Sequence, residues 1–344
     1  MLELQVQVNH PLKTFNSFGF AVSADYLVTI KKETLLREAM AYARAKNLSL
    51  VVLGEGSNVV FRQNISGLVL KMAITGIEIV EQNESSVLVK VGAGENWHEF
   101  ILWCLQNNYY GLENLSLIPG AVGAAPIQNI GAYGVEQNKC FESLQALNRS
   151  TGETVIFKNS DCEFGYRDSV FKGKFLDQFI ITRVSYRLRK LADTQTEYGA
   201  IKDELAKMKA DPKDPKAVSK AVCNIRRSKL PAPDLIGNAG SFFKNPVVDA
   251  VTFEQLRAKY NGLIAYPQDR GMVKLAAGWM IEFCGWKGFR EGDVGVHADQ
   301  ALVLVNYGEG LGSELIELAA RIQRSVHNKF GIDLEFEPRI YPAL

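Results

Sequence analysis

The sequence predicts a chain of mixed helices and strands divided among two or three domains, and three observations predict it. At 344 residues the chain exceeds what one ordinary hydrophobic core serves. A strand, a helix and a second strand run into a glycine-rich loop near the N-terminus, and further on alternating segments occur in neighbouring pairs. Between them lies ENLSLIPGAVGAAPIQNIGAYG, residues 113–134, a stretch of small residues almost without charge.

Taken in order, Asp25 to Ile30 alternates as a strand should. From Thr34, a candidate N-cap, the period becomes helical, with Leu35, Leu36, Ala39, Met40 and Ala43 on one face. Leu48 to Leu53 is a short apolar run suited to a buried strand, and it empties into Gly54-Glu55-Gly56-Ser57-Asn58. Such a loop after a βαβ unit delivers backbone amides to an anion, although a lone GxG is in most chains only a turn. No Lys-Ser/Thr follows, so the loop is not a P-loop, and no GxGxxG is present. Ile77 to Val80 and Ser86 to Val91 read as paired strands around an Asn-containing turn. Asn96 with Glu99 forms a capping-box pattern ahead of a helix that turns Trp97, Ile101, Cys104 and Leu105 inward.

After the small-residue stretch, strands are expected over Glu142 to Leu147, Thr154 to Phe157 and Phe179 to Leu188. A short polar helix precedes FGYRDS. Leu191 to Pro215 is polar and reads as a linker or loop, before a helix with Asp214 as N-cap and Pro215 in its first turn. That helix turns Val218, Val222 and Ile225 inward and crowds Arg226, Arg227 and Lys229 at its far end. Helices follow near Thr252 to Tyr260 and Ala276 to Phe283, and a strand over Ala301 to Asn306. An amphipathic helix is expected from Ser313 as cap to Gly331 as stop. An alternating strand, Leu334 to Ile340, ends the chain with Glu335, Glu337 and Arg339 on one side.

Composition narrows the function. Hydrophobic residues make up 47% and charged residues 22%, as in a soluble globular protein. A formal net charge of +1 gives no general field for nucleic acid or an anionic membrane, so an anionic ligand must be met locally. No apolar run approaches the roughly 18–20 residues that span a bilayer, and the N-terminus lacks the pattern of a secretory signal. The cysteines, Cys104, Cys140, Cys162, Cys223 and Cys284, are odd in number with no CxxC, which fits free thiols in a reducing cytoplasm. The four histidines form no ligand pair, so no metal site is expected.

Residues 113–134 combine Gly120, Gly123, Gly131 and Gly134 with Ala121, Ala124, Ala125 and Ala132. Small residues let a ligand press against bare backbone, and main-chain N–H groups would hold a phosphate-bearing, largely planar cofactor better than a metal. A buried bundle of tight turns accounts for the composition as well. Three polar residues elsewhere are candidates for chemistry. Arg167 in GYRDS is either a surface partner of Asp168 or a cation set against a carboxylate or developing oxyanion. Ser241, between Gly240 and Phe242-Phe243, is either a turn residue or a shielded proton donor. A serine is a weak acid, so donation needs a strongly basic carbanion or enolate as partner. Glu337 shares a face with Glu335, a pattern that most often marks a solvated strand.

The co-linear set LGEGSN, IPGAVGAAPIQNIGAYG, FGYRDS, GNAGSFFKNP, VKLAAGW and LEFEPR closely resembles the UDP-N-acetylenolpyruvoylglucosamine reductase family, over nearly the whole chain. The resemblance implies an α+β fold: an FAD-binding fold of the vanillyl-alcohol oxidase type with a separate substrate-binding domain. The expected boundaries are 1–75 and 76–213 for two FAD-binding subdomains, with a capping loop near 191–213. Residues 214–328 form the substrate-binding domain, and 329–344 a strand returning to the active site. It further implies NADPH as co-substrate, non-covalent FAD, and reduction of UDP-N-acetylglucosamine enolpyruvate to UDP-N-acetylmuramate by a cytoplasmic monomer.

By the same resemblance, Leu53, Gly54, Glu55, Gly56, Ser57 and Asn58 contact FAD. So do Ile118, Pro119, Gly120, Gly123, Ile127, Gln128, Asn129, Gly131, Ala132 and Tyr133. Ser241 matches the proton donor, and Arg167 and Glu337 the other two catalytic residues. Glu337 rather than Glu335 keeps the Glu-x-Arg spacing to Arg339, with Pro338 in the middle position. Tyr198 resembles the loop tyrosine of the subclass with a substrate-capping insertion. Tyr133, Arg226, Lys229, Asn245, Tyr266, Lys274 and Gln300 fall at substrate contacts. Oxidases of this scaffold that attach FAD through histidine are disfavoured because GEGSNVVF contains none. A binding protein without turnover is disfavoured because all three catalytic positions are filled.

Overall fold

A computed structural model describes residues 4–343; residues 1–3 and 344, the outer ends of the first and last expected segments, lie outside the described residues. The chain divides into two compact units. The first takes residues up to 10, 24–55 and 66–228, and the second takes 11–23, 56–65 and the chain from 229 onward.

In the first unit a four-stranded sheet is ordered Gln7–Pro11, Ser23–Ile30, Ile65–Met72, Leu50–Leu53. Its last two strands run parallel, Leu50 opposite Leu68 and Leu53 opposite Lys71, which is the geometry that buried Leu-Val-Val-Leu favours. Helix α1, Glu33–Ala45, connects two of its strands and buries Leu36, Ala39, Met40 and Ala43, the i, i+3, i+4, i+7 pattern of one helical face. It begins one residue before the expected cap: the Lys32 carbonyl accepts from Leu36 N at 3.1 Å, and no side chain caps it.

A five-stranded antiparallel sheet carries the rest of this unit, ordered Thr154–Lys158, Phe141–Asn148, Phe179–Arg189, Ser86–Gly92, Ile77–Gln82. Helix α2, Trp97–Gln106, covers it with Trp97, Phe100, Ile101, Cys104 and Leu105 buried, and Asn96 Oδ1 caps it by accepting from Glu99 N at 3.0 Å. Both sheets and both helices share one apolar core. The polar stretch 191–215 is not all loop: helix α3, Gly199–Met208, forms there because Ile201 and Leu205 bury themselves. They meet Val218, Ala221, Val222 and Ile225 of helix α4, Pro215–Lys229, whose first turn Asp214 Oδ1 caps by accepting from Lys216 N at 2.9 Å. Up to Ser228, α4 therefore belongs to the first unit.

The second unit holds a four-stranded sheet ordered Gly237–Ser241, Val303–Asn306, Val294–Val296, Arg290–Glu291. A three-stranded one follows, ordered Val247–Asp249, Met272–Leu275, Ala265–Pro267. Helices α5, Ala250–Lys259, α6, Ala277–Phe283, and α7, Gly312–Phe330, pack with these strands around a second core that includes Phe18, Phe20 and Val60. Helix α7 starts at Gly312 rather than after Ser313. Leu311 is its N-cap, and its N–H is held by Glu314 Oε2 at 2.8 Å. A Cβ on Gly312 would lie 2.0 Å from the Phe61 carbonyl oxygen, so only glycine lets the helix enter there. Gly331, at φ 70°, ends it.

The last strand is shorter than the alternation suggests. Arg339–Tyr341 pairs in parallel with Val59–Phe61, while residues 334–337 make a single isolated β-bridge, Phe243 to Phe336. Pro338 has no N–H for a ladder, and the three-residue partner ends the pairing.

Candidate functional site

In the first unit the small-residue stretch is folded as short turns, with 3-10 turns at Glu113–Leu115 and Val122–Ala124 and a two-residue strand at Gly131–Ala132. Leu117, Asn129 and Tyr133 adopt left-handed backbone, φ 59°, 44° and 50°. Left-handed residues set between ordinary ones turn successive N–H groups toward one side, the arrangement that holds anions. Non-glycine residues rarely adopt this conformation, and here the surroundings enforce it.

Glu55 ties the glycine loop to the stretch: its carboxylate accepts from Gly120 N at 3.1 Å and from Asn96 Nδ2 at 2.8 Å. The Gly54 carbonyl accepts from the Lys71 ammonium, whose pKa burial pushes below its usual range while Glu55 opposes that shift. The stretch is held from the other side by FGYRDS. Arg167 Nη2 donates to Gly131 O at 2.6 Å, Asn129 Nδ2 to Gly165 O at 3.1 Å, and Ser169 Oγ to Ile127 O at 2.6 Å. Arg167, itself at φ 54°, is half-buried with its guanidinium 5.5 Å from the Tyr166 ring, so the reading as a simple surface partner of Asp168 does not describe it. Asn129 is fully buried, and its Nδ2 also donates to Glu136 Oε2 at 2.9 Å.

Tyr133 and Tyr198 meet edge to face, ring centroids 5.4 Å apart. Asn114 Nδ2 bridges the strap before Tyr198 to the tyrosine turn, donating to Gln195 O at 2.8 Å and Tyr133 O at 3.1 Å. Arg226, on α4, donates from Nε to Leu117 O at 3.1 Å and interacts electrostatically with the Tyr133 hydroxyl. Burial lowers the Arg226 pKa and raises that of Tyr133, and each group's interaction with the other opposes its own shift.

In the second unit Ser241 ends the strand Gly237–Ser241, opposite Val303, half-buried and backed by Phe242 and Phe243, which are buried. Glu337 comes to the same place through main chain: its N–H donates to Phe242 O at 2.9 Å, and Asn58 Nδ2 reaches its carbonyl at 3.4 Å. The two glutamates differ. Glu335 is exposed and paired with Lys244 at 2.7 Å, whereas Glu337 is half-buried, so the solvated-face reading fits only the first. Tyr266 and Lys274 are directly opposed across the three-stranded sheet, and Asn245 Oδ1 caps α6 by accepting from Ala277 N at 2.9 Å. Lys229 is the exposed last residue of α4, and Gln300 lies in the loop before Val303, whose N–H its carbonyl accepts at 2.9 Å. Thus the structure joins Ser241 with Glu337 inside one unit, and Arg167 with Tyr133 and Arg226 inside the other.

Comparison with known proteins gives the lineage. Residues 24–158 match an FAD binding domain, and residues 231–341 match the C-terminal domain of UDP-N-acetylenolpyruvoylglucosamine reductase. The reductase of that name from Pseudomonas savastanoi pv. phaseolicola is 49% identical over 99% of this chain and 100% of its own length. That from Pseudomonas aeruginosa is 48% identical over the same shares. The chain belongs to the UDP-N-acetylenolpyruvoylglucosamine reductase family. A solved reductase from Thermus caldophilus has the same fold, with a TM-score of 0.69 at 21% identity, covering 99% of this chain and 100% of that one. The fold is accordingly α+β, an FAD-binding fold of the vanillyl-alcohol oxidase type followed by the family's C-terminal domain.

The residues present suit the flavin that the family's FAD-binding domain takes. A Cβ at Gly54 would meet the Ala121 Cβ at 3.4 Å, an ordinary contact, and Glu55 fixes the loop to Gly120. The left-handed turns at Asn129 and Tyr133 and the small side chains around them are of the kind that lets main chain approach a ligand closely. Among the described residues no group of three or more His, Cys, Asp or Glu could hold a metal, and no helix is long and apolar enough to cross a membrane. Sequence reasoning missed the supports: Lys71, His98, Asn114, and the hydroxyl pair Ser116 and Ser219, 2.7 Å apart. Side-chain to main-chain contacts of this kind leave no periodicity in the sequence.

Proposed function

We propose that this chain reduces UDP-N-acetylglucosamine enolpyruvate to UDP-N-acetylmuramate with NADPH and non-covalently bound FAD, a step of peptidoglycan precursor synthesis. The observation that carries the reading is the near full-length identity with reductases of that name, together with Ser241 and Glu337 flanking one main-chain hydrogen bond. FAD, when bound, supplies the two-electron chemistry that links NADPH to the vinyl group. The chain's own residues do the rest. Reduction at the terminal vinyl carbon leaves negative charge on the adjacent carbon and its carboxylate. Arg167 offsets that charge, Glu337 orients and polarises the group, and the Ser241 hydroxyl gives its proton to the carbon. So weak an acid serves because the carbanion is so strong a base.

The glycine loop Gly54–Asn58 and the turns from Ile118 to Tyr133 hold FAD, and Tyr133, Arg226, Lys229, Asn245, Tyr266, Lys274 and Gln300 contact the sugar nucleotide. We assign the chain to the subclass with a substrate-capping loop. Support comes from Tyr198 packing on Tyr133, from the Asn114 tie to the strap and from the short helix α3 behind it. As functional parts, distinct from the two compact units, we assign 1–75 and 76–213 to FAD, 214–328 to the substrate and 329–344 to the returning strand, and the enzyme acts as a cytoplasmic monomer that needs neither nucleic acid nor membrane.

The test is visible absorption of the purified protein under anaerobic conditions. Flavin bands should bleach on addition of NADPH and return on addition of the enolpyruvyl sugar nucleotide alone. Bands that return only with oxygen would make the chain an oxidase, and a protein that takes up no FAD would remove the reading.

A further inference from the structure

One histidine outside the assigned set stands on main chain that the substrate contacts depend on. We propose that His98 is a positioning residue, a neutral imidazole that fixes Leu117 so that Arg226 is held ready for the anionic diphosphate of the sugar nucleotide. This rests on the reading of Arg226 as a substrate contact. His98 lies in the first turn of α2, and its Nδ1 accepts from Leu117 N at 3.0 Å. The carbonyl of the same residue accepts from Arg226 Nε at 3.1 Å. Leu117 therefore relays between histidine and arginine, and it does so in left-handed backbone, φ 59°, which a leucine does not hold unaided. The preceding residue, Ser116, is tied to α4, the helix of Arg226, by the Ser116–Ser219 hydroxyl pair. With Nε engaged by Leu117 and Tyr133 placed against the guanidinium, Arg226 is aimed rather than merely present.

The relay works in one protonation state. An Nδ1 that accepts carries no proton, so the proton resides on Nε2. An imidazolium has no acceptor, and Leu117 N–H would lose its partner. Burial, first, and then Arg227 and Arg226 of α4 hold the His98 pKa below its ordinary 6.5, against Glu99 on its own helix. His98 is thus neutral at pH 7 and protonates only on the acid side of 6.5, where the hold on Arg226 fails.

The experiment uses the FAD-loaded enzyme and its His98→Asn, His98→Phe and Arg226→Gln variants. It reads the Kd of UDP-N-acetylmuramate from the perturbed flavin absorption, and kcat and KM for the enolpyruvyl substrate, between pH 5 and pH 8. Asn places Oδ1 where Nδ1 stood but does not titrate. His98→Phe should weaken Kd and raise KM by about tenfold at pH 7.5, the scale of one lost hydrogen bond to a part-buried donor, with kcat little changed. His98→Asn should keep the affinity and lose the acid-side weakening of the natural enzyme. Unchanged affinity in His98→Phe while Arg226→Gln weakens it overturns the inference alone. Unchanged affinity in Arg226→Gln overturns the substrate reading, and the inference with it. Should His98→Phe fail to fold, the pH profile decides: an acid-side loss in His98→Asn equal to that of the natural enzyme overturns the proposal.

Discussion

Ser241 is one oxygen in a place built by its neighbours. Phe242 and Phe243 are buried in contact with Phe336, rings 5.5 and 5.6 Å from it, and the Phe242 main chain donates to Leu302 O at 2.7 Å and accepts from Glu337. Replacing the serine by alanine leaves all of these contacts standing, so the melting temperature should not move. Bleaching by NADPH should also proceed at its natural rate, because no proton passes from Ser241 in that half-reaction. Recovery of the flavin bands with the enolpyruvyl sugar nucleotide should slow by roughly two to four orders of magnitude, the contribution of a positioned general acid. Equal slowing of both half-reactions, followed by stopped-flow absorption, would instead give Ser241 a binding role.

Among the elements, the loop after the strand Leu50–Leu53 is where local rules are strictest. Gly56 has φ 70°, and a Cβ there would sit 1.9 Å from the Phe15 carbonyl oxygen; its own carbonyl accepts from Ser17 N at 3.0 Å. Gly56→Ala must therefore push the two backbones apart, and we expect a loss of at least 1–3 kcal/mol in urea unfolding, the usual cost of forcing a side chain into such backbone. An unchanged midpoint would mean that the loop relaxes freely. Punctuation of this kind was legible: GEGSN, Asn96, Asp214 and Gly331 mark in the sequence the turns and ends that the structure has. Helix α3 was not, since apolar residues are sparse in that polar stretch and the burial of Ile201 and Leu205 depends on α4. Nor was the early end of the last strand, because alternation from Leu334 to Ile340 describes side chains, while pairing needs a partner that is three residues long. The candidate site divides in the same way. Motif residues were found by type and spacing, whereas their fixings, Glu55 to Gly120 or His98 to Leu117, join residues distant in sequence.

For the molecule as a whole, the two units cannot be separated by cutting at one linker, because the chain passes between them at 10/11, 23/24, 55/56, 65/66 and 228/229. The stretch that matches the family's C-terminal domain, 231–341, is thus not the whole of the second unit. Phe18, Phe20 and Val60, each at most 1% exposed, belong to its core, and Val59–Phe61 is the partner of Arg339–Tyr341. Burying three such side chains contributes about 5–9 kcal/mol, which equals much of the roughly 5–15 kcal/mol by which a domain is stable. Residues 229–344 expressed alone should therefore show helix by circular dichroism without a cooperative thermal transition. A sharp melt of that fragment would show that 11–23 and 56–65 only lie against a core complete without them. The expected failure is informative about function too, since Asn58 reaches the Glu337 carbonyl and Phe61 faces Gly312 at the start of α7. The early segments thus support the same stretch of chain that presents the carboxylate.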